Sequence, residues 1–206
     1  MKLILIPPGD KLLKTKASIV TDFDNKDYYM DIINQMKEIC IGRKAFAAAA
    51  TQFGIFKKMI LVINIEKPEF NNIDEYNNKP INYNVIPYFN PKIKVMRGNQ
   101  VFYESCMSVF ESTGKVFRPY HIEFEYQDIN GLKQYKIAEG FEAIILCHEI
   151  DHLYGIEYID KAVQLYTSVN TEARIEIRKK HPYKVINKTK PFDQSNIDIK
   201  YQTKLE

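Results

Sequence analysis

A His-Glu-x-x-His pattern within a stretch of helical periodicity is the feature that most restricts this fold. It occurs at His148-Glu149-Ile150-Asp151-His152. Residues four apart lie one turn apart on the same helical face, so both histidines can reach one metal ion. Glu149 points about 100° further round the helix, toward a water molecule held by that metal. The pattern therefore predicts a metal-binding helix over residues 140–154.

The two imidazoles also extend an apolar stripe on the predicted helix. Phe141, Ile145, His148 and His152 follow one another at helical spacing, and we expect this stripe to face the interior. Neutral histidines in an interior each need a partner, and a shared metal ion supplies one. The alternative is that two core or surface histidines lie four residues apart by chance. The presence of Glu149 between them, at the second position of the motif, argues against chance.

The third ligand of the predicted site is assigned to a cysteine. The chain has 3 cysteines, Cys40, Cys106 and Cys147, an odd and sparse set that favours a reducing compartment over a disulfide framework. Cys106 follows a strand-like segment. One thiolate with two imidazoles leaves a fourth position open for water, as in catalytic sites. Cys40 and Cys147 are predicted to pack as small apolar residues.

Hydrophobic periodicity predicts an α+β fold. Antiparallel β-sheets are expected around the central metal-binding helix, with further helices toward both termini. The predicted strands cover residues 59–65, 92–96, 100–103, 121–126 and 133–137, and the predicted helices cover residues 26–40, 140–154 and 169–180, the last capped by Ser168 or Asn170. With 45% hydrophobic and 27% charged residues, the composition is that of a globular protein.

The organisation along the chain is that of a single catalytic domain. We assign residues 1–182 to this domain, with an Asn-rich insertion loop over residues 67–90, and residues 183–206 to a polar, basic tail. The apolar run over residues 3–6 ends at Pro7-Pro8, so neither a secretory signal nor a membrane span is expected. We therefore expect a cytoplasmic protein.

Three segments resemble the motifs of the peptide deformylase family and occur in the family's order. Residues 45–52 are similar to Gly-x-Gly-x-Ala-Ala-x-Gln, residues 104–108 to Glu-Gly-Cys-Leu-Ser, and residues 147–153 to Gln-His-Glu-x-Asp-His-Leu. The resemblance covers about residues 5–160. It identifies a divergent member, and the last predicted helix is similar to that of bacterial-type members whose domain ends in a helix.

The resemblance implies a hydrolase that removes the N-formyl group from the N-terminal methionine of newly made polypeptides and releases formate. It implies one divalent metal ion per chain, held by Cys106, His148 and His152, with metal-bound water as the nucleophile. Ferrous iron is the implied native metal, with zinc, nickel or cobalt as substitutes. The ligand set itself is compatible with any of these metals.

The resemblance also implies roles for other side chains. Glu149 would take the proton of the water and deliver it to the leaving amine. The Gln52 amide and the backbone N–H of Met107 would stabilise the oxyanion. Glu104 and Arg118 match positions that pair behind the metal loop, although such a pair could equally be a surface ion pair of little consequence. The implied substrate-binding residues are Phe46, Ala47, Ser105 and Ile145.

The sequence departs from the family pattern at three glycines. Ala45 and Ala47 replace both glycines of the first motif, and Ser105 replaces the glycine before Cys106. In the family, these glycines belong to a wall of the substrate cleft. We expect a methyl group there to narrow the approach of the peptide, and alanine to disfavour a positive φ that glycine would allow.

Two alternatives remain open from the sequence. A zinc peptidase would share the His-Glu-x-x-His helix and could use Glu172, 20 residues beyond His152, as its third ligand. The longer metzincin pattern is not met, because Tyr158 stands where its third histidine belongs. The second alternative is a deformylase-like paralogue that binds peptide N-termini with little or no turnover, which the altered wall suggests.

The expected partner is a formyl-methionyl nascent peptide, together with the ribosome. The resemblance implies that the C-terminal helix docks on the ribosome, and a cationic segment suits an RNA-rich surface. The basic residues between positions 173 and 190 are Arg174, Arg178, Lys179, Lys180, Lys184, Lys188 and Lys190, against the single acid Glu176. An ordinary solvated helix face is the open alternative. The formal charge of +3 is too small to indicate specific DNA binding, and the lack of a spanning segment predicts no membrane association.

Overall fold

The fold is an antiparallel eight-stranded sheet with α-helices on and beside it, seen in a computed structural model that describes residues 2–64 and 84–192. The helices of this part are α1 (Lys26–Gly42), α2 (Gly140–His152) and α3 (Thr171–Lys180). The strands are β1 (Ala47–Ala49), β2 (Met59–Asn64), β3 (Asn84–Cys106), β4 (Val109–Arg118), β5 (His121–Gln127), β6 (Lys133–Glu139), β7 (Gln164–Thr167) and β8 (Lys184–Pro191). Short 3-10 helices cover Lys11–Lys14, Ala50–Phe53 and Tyr158–Asp160. The α+β prediction is confirmed.

Strand β3 connects the two halves of the sheet. Its first residues pair with β2, its middle with β5, and its last residues with β4 and β8, always antiparallel. The pairing with β5 and β4 contains register shifts, which increase the local twist of a strand. The strand ends at Cys106, so the continuous backbone of β3 runs from the centre of the sheet to the predicted metal site.

Helix α1 packs its apolar face against the sheet. Its buried residues are Tyr29, Ile32, Ile33, Met36 and Cys40. This helical spacing produces one continuous apolar stripe, and burying each large side chain contributes about 1.5–3 kcal/mol. Cys40 is fully buried in this cluster, so the prediction that it packs as a small apolar residue is confirmed.

Two regions expected to be loop or tail contain strands. Residues 84–90, predicted as the end of the insertion loop, form the start of β3, and residues 184–191 of the predicted tail form β8. Both expectations were wrong at these positions. β8 is an exposed strand held to β3 by backbone pairing, so its sequence shows charge but little apolar alternation. Expectations for residues 67–83 and 193–206 lie outside the described residues, and the division into one domain and a tail stays a prediction.

The C-terminal helix has a defined start. Asn170 is its N-cap residue, and its side-chain oxygen accepts a hydrogen bond of 2.8 Å from the backbone N–H of Ala173. This bond satisfies one of the free N–H groups of the first turn. It decides between the two predicted caps in favour of Asn170. Within residues 2–64 and 84–192, none of the helices is both long and apolar enough to cross a membrane.

Candidate metal centre and active site

Helix α2 carries the His-Glu-x-x-His motif at its C-terminal end. Its packed face consists of Ala143, Ile144, Leu146, Cys147 and Ile150, all buried. Phe141 and Ile145 are only half-buried, and the His148 side chain is 11% exposed. The stripe predicted to face the interior is thus buried at His152 and only partly buried at Phe141 and Ile145. Periodicity identifies a helical face, but it does not distinguish a face packed in a core from one that lines a cleft.

The end of α2 is fixed by close backbone packing. Gly155 has φ 71°, and a Cβ atom built there would lie 2.2 Å from the carbonyl oxygen of Lys14. A side chain is excluded by both the conformation and the contact. The hydroxyl of Thr51 also donates to the carbonyl oxygen of His152 over 3.2 Å. These contacts hold the last turn of the helix, and therefore His152, in place.

The structure brings Cys106, His148 and His152 together. Their ligand atoms all lie within 4.8 Å of one another, although the cysteine is 42 residues from the nearer histidine in the chain. The Sγ atom of Cys106 is 3.3 Å from Nε2 of His152. Cys106 and His152 are buried. The three residues predicted as ligands, two from the His-Glu-x-x-His pattern and one from a distant segment, thus converge on one point.

The chemistry of these donors fits a divalent metal. Burial alone would keep the Cys106 thiol neutral, but the charge of His152 and hydrogen bonds from both histidines lower the pKa of Cys106 to about 5. The thiolate is the form that binds metals. The same contacts, working against burial, raise the pKa of both His148 and His152. A buried thiolate surrounded by imidazoles is a ligand set for zinc or a similar transition metal.

Glu149 is a buried carboxylate without a hydrogen-bond partner for one oxygen. The residue is 6% exposed, and its Oε2 atom has no acceptor or donor neighbour within the described part of the chain. Burial raises its pKa to about 7, although the two histidine charges oppose this shift. Buried polar atoms normally have partners. An unpartnered carboxylate beside three metal-type ligands is suited to hold a water molecule or its proton.

Glu104 connects Arg118 to the predicted metal ligand His148. The guanidinium of Arg118 donates to both carboxylate oxygens of Glu104 over 2.7 and 2.9 Å, and Glu104 Oε2 lies 2.7 Å from Nδ1 of His148. Burial opposes ionisation of Glu104, but the charge of Arg118 holds its pKa well below the usual range. The bond to Nδ1 leaves Nε2 of His148 for a metal and fixes the ring orientation.

The predicted pairing of Glu104 with Arg118 is present, and both residues are buried. The alternative of a surface ion pair was wrong, because the pair lies beneath the ligands. Its contact with His148 was not foreseen from the sequence. Arg118 also donates to Asp151, which accepts a second bond of 2.6 Å from Lys161. Asp151 therefore extends the charged network toward the end of α2.

Gln52 lies directly against the thiolate ligand. Its Nε2 atom donates to Cys106 Sγ over 3.3 Å and to Ser108 Oγ over 2.9 Å, while its Oε1 atom accepts from the backbone N–H of Ala49 over 2.9 Å. Met107 and Ser108 form the tight turn between β3 and β4. The structure thus places Gln52 and Met107 next to Cys106, as the resemblance implied.

The predicted substrate wall consists of β1 and residues that face it. Strand β1 pairs with β2 along one edge and is the terminal strand of its sheet path. Phe46 packs edge-to-face against Phe141 with ring centroids 5.7 Å apart, and Phe102 also packs edge-to-face against Phe141 with centroids 5.2 Å apart. Ile145 is half-buried on α2. An aromatic cluster therefore lies within one or two helical turns of His148.

The three replaced glycines cause no backbone strain. In the described part of the chain, the non-glycine residues with positive φ are Lys44, Asn90 and Glu111, so Ala45, Ala47 and Ser105 need no glycine. The methyl group of Ala47 is buried in the cluster beneath α2. The expected conflict with a positive φ was therefore wrong, since these positions adopt a conformation that any residue can take.

Other site residues were not singled out from the sequence. Ser108 accepts from Gln52, and the Tyr158 ring stacks on His148 with centroids 6.0 Å apart and planes 19° apart. Cys147 is buried, and burial raises its pKa to about 12, as expected for a packing residue. Glu172, the third ligand of the peptidase alternative, is exposed on α3 and does not belong to the metal-type group.

A sheet strand that presents a cysteine to a His-Glu-x-x-His helix defines a class of metal-dependent hydrolases with two imidazole ligands and one thiolate ligand. The sequence model of the polypeptide deformylase family matches residues 3–168. The chain belongs to this family, and the prediction from its three motifs is confirmed.

Individual relatives agree with this assignment. The chain is similar to a peptide deformylase of a Wolbachia from Drosophila simulans, with 32% identity over 86% of this chain and 96% of the relative. A peptide deformylase of Caldicellulosiruptor bescii is 29% identical over 80% of this chain and 88% of its own length. The crystal structure of the Acinetobacter baumannii peptide deformylase with Met-Ala-Ser bound matches with a TM-score of 0.67 and 26% identity, over 78% of this chain and 98% of the other.

Proposed function

We propose that this chain removes the N-formyl group from the N-terminal methionine of newly made polypeptides and releases formate. The observation that carries the proposal is the convergence of Cys106, His148 and His152 beside the unpartnered carboxylate of Glu149. Family membership supplies the reaction class. The exposed position of Glu172 argues against the peptidase alternative, and the complete set of catalytic residues argues against a paralogue that only binds.

Cys106, His148 and His152 would hold the divalent cation, for which we propose ferrous iron as the native metal. Such a cation supplies Lewis-acid chemistry, because it lowers the pKa of water in its open coordination position and polarises a carbonyl group. The protein contributes the orientation of the ligands. Glu104 fixes the His148 ring through Nδ1, and Arg118 in turn fixes Glu104.

Glu149 is proposed to move the proton during hydrolysis. As a carboxylate it accepts a proton from the attacking water, while the bond between the water oxygen and the formyl carbon forms. It then donates this proton to the amine nitrogen when the carbon–nitrogen bond breaks, so that formate and a free N-terminus leave. Burial places the pKa of Glu149 near neutrality, where a side chain can serve as both base and acid.

Gln52 and the backbone N–H of Met107 are proposed to stabilise negative charge on the formyl oxygen. In this structure the Gln52 amide donates to Ser108 Oγ and, over a longer distance, to Cys106 Sγ. The hydrogen bond to sulfur is the weaker of the two. We therefore expect the Gln52 N–H that makes it to turn toward the substrate. The bond from Ala49 to Gln52 Oε1 keeps the amide in the required orientation.

The substrate is proposed to extend along β1. An open strand edge offers backbone groups to an extended peptide, and Ala47 and Ser105 are the proposed wall residues. Phe46 and Ile145 are proposed to contact the methionine side chain, because thioethers make favourable contacts with aromatic rings. The structure of the Acinetobacter relative contains Met-Ala-Ser, which is the peptide expected after removal of a formyl group from formyl-Met-Ala-Ser.

Formate release from formyl-Met-Ala-Ser tests the proposal. The protein should be prepared without oxygen, because ferrous iron and a thiolate ligand are both oxidisable, and one metal per chain should be verified first. Acetyl-Met-Ala-Ser is the matched control substrate, since it differs by a single methyl group. The metal-loaded protein is expected to release formate from the formyl peptide at a rate well above that with metal-free protein. Equal rates with and without metal would refute the proposal.

We also propose that the protein works in the cytoplasm and docks on the ribosome through its C-terminal basic surface. This surface consists of Lys179, Lys180, Lys184 and Lys190, all exposed. Phosphate-rich RNA attracts such a surface, and salt weakens the attraction. Arg178 was grouped with these residues from the sequence, but its side chain is half-buried against β3 and is excluded from the proposed surface.

Reversing three of these charges is expected to weaken ribosome binding. The variant Lys179→Glu/Lys180→Glu/Lys184→Glu should lower co-sedimentation with ribosomes by about tenfold at moderate salt, because phosphate contacts dominate such affinities. Lys11→Glu/Lys16→Glu, which changes exposed lysines elsewhere, is the control. Equal pelleting of all three proteins would contradict ribosome docking through this surface.

A further inference from the structure

Helix α3 is attached to the sheet in an unusual way. None of its ten residues is fully buried, and its half-buried positions are Ala173, Arg174, Ile175, Ile177 and Arg178. At its end, His181 stacks on Tyr103 with ring centroids 4.8 Å apart. The side chain of Arg178 also reaches from the helix to β3.

Arg178 contacts three of the four positions before the proposed metal ligand Cys106, namely Phe102, Tyr103 and Ser105. Its Nε atom donates to the carbonyl oxygen of Tyr103 over 2.9 Å, and its Nη2 atom donates to Ser105 Oγ over 3.3 Å. Its guanidinium lies over the Phe102 ring, 5.1 Å from the centroid. The planar group thereby uses both its edge and its face, which a lysine cannot do.

The pairing of β3 is irregular at the position that Arg178 contacts. The pairing of β3 with β4 is regular up to Glu104, which lies opposite Gly114, and then shifts before Cys106, which lies opposite Val109. Ser105 therefore sits in the irregular step between the last regular pair and the ligand. In this register Ser105 has no partner residue on β4, where four residues, 110–113, lie between the two pairs.

Side-chain hydrogen bonds connect Ser105 to two neighbouring segments. Ser105 Oγ lies 3.0 Å from Thr113 Oγ1, which lies 2.9 Å from Ser168 Oγ. Ser168 precedes helix α3 in the chain, and Arg178 returns from that helix to Ser105. The hydroxyl that stands in place of the family's glycine is therefore held by the neighbouring strand on one side and by α3 on the other.

Arg178 occupies this position at an energetic cost. In the described part of the chain it has no carboxylate within 4.0 Å, although its half-buried side chain lies near Arg174. Burial and the charge of Arg174 lower the pKa of Arg178 to about 10. A charge held without an acidic partner is unfavourable, so its contacts with the carbonyl oxygen, the hydroxyl and the ring must offset this penalty.

We propose that Arg178 is a positioning residue that fixes the backbone of residues 102–105 and thereby the direction of Cys106 Sγ toward the two histidines. The inference rests on the proposed metal site and adds a residue on α3 to the set that supports it. Helix α3 then stabilises the position of the thiolate ligand, because the Arg178 side chain links the helix to the end of β3.

Cobalt-substituted protein tests this inference without any formyl peptide. Arg178→Gln removes the charge and the two-point contact. We expect it to shift the sulfur-to-cobalt absorption band and to raise the rate of metal release to a chelator by about tenfold, the lower range for residues that support metal ligands. Arg178→Lys, which can make one of the contacts, should give an intermediate rate. Glu176→Gln, on the exposed side of α3, and Arg43→Gln, an exposed arginine after α1, should match the wild type.

A second comparison keeps the test decisive if Arg178→Gln is poorly folded. Ser105→Ala removes only the hydroxyl that Arg178 contacts, so its effect and that of Arg178→Lys should be less than additive in the double variant. A band and a release rate identical to wild type in Arg178→Gln, with only a lower melting temperature, would overturn the inference. Fully additive effects of Ser105→Ala and Arg178→Lys would also overturn it. If wild-type protein bound no cobalt, the proposed function itself would fail.

Discussion

The Glu149→Gln variant is expected to keep its metal and to lose formate release by about three orders of magnitude. Glutamine preserves the size and one hydrogen-bond acceptor, but it cannot take a proton from water or return one to the leaving amine. Proton transfer by a positioned side chain contributes about 10²–10⁴-fold to a rate. The measurement is kcat for formyl-Met-Ala-Ser at saturating substrate, together with metal content per chain.

The matched control for Glu149→Gln is Glu142→Gln. Glu142 lies on the same helix, but it is exposed and paired with Lys136. This control should release formate at the wild-type rate. Retention of a tenth or more of the activity by Glu149→Gln would exclude Glu149 as the group that moves the proton. Loss of metal in Glu149→Gln would instead assign the carboxylate a structural role.

The same substitution has an expected effect on the stability of the metal-free protein. Because burial raises the pKa of Glu149 to about 7, the native state binds its proton more tightly than the unfolded state does. Stability from this group is fully present below the unfolded pKa of about 4.3 and is lost as the pH rises through about 7. The melting temperature of metal-free Glu149→Gln should therefore change less between pH 5.5 and pH 8.5 than that of the metal-free wild type. Thermal unfolding at both pH values measures this difference, and equal shifts would contradict it.

The sequence predicted the ligands because each has a local signature. The spacing of His148 and His152 is a property of one helix, and Cys106 was assigned by ligand chemistry and by its motif. Their convergence depends on β3, a strand whose beginning was interpreted as loop. Local patterns therefore identified the chemistry of the site, but they did not describe the strand that delivers the third ligand.

The residues around the ligands were harder to predict, because their roles come from contacts between distant segments. Ser108 and Asp151 lie within or next to recognised motifs, but only the folded chain shows that they bind Gln52 and Arg118. Arg178 was interpreted as one of several exposed basic residues. In the sequence, Arg178 and Lys179 are two neighbouring basic residues with nothing to distinguish them. The proposed role of Arg178 depends on the register shift at Ser105, which only the structure shows.

The departures from the family's glycines have a consistent physical explanation. Ala47 fills space beneath α2, and Ser105 gains hydrogen bonds to Thr113 and Arg178. The substitutions therefore add packing and polar contacts at positions whose φ values do not require glycine. A change of the substrate wall in this chain is accompanied by a local network that supports it, which agrees with an active enzyme more than with a degraded site.

Replacing Cys106 is expected to have the second large effect, on metal affinity. Cys106→Ala removes one of three protein ligands and leaves two histidines, so the apparent affinity for zinc or cobalt should fall by more than about 100-fold, the upper range for loss of a residue that merely supports a ligand. Formate release should fall with it. Competition with a chelator of known affinity measures the loss, and circular dichroism verifies that the fold is retained.

Two matched variants give this prediction its specificity. Cys147→Ala removes a thiol of the same burial directly beside His148, but this thiol belongs to the packed face of α2 and its pKa is raised rather than lowered. It should therefore retain one metal per chain. Glu172→Gln changes the exposed residue that a thermolysin-type site would use, and it should also bind metal normally. Metal loss confined to Glu172→Gln, with Cys106→Ala unaffected, would mean that the helix binds metal with a carboxylate instead of the thiolate at the end of β3.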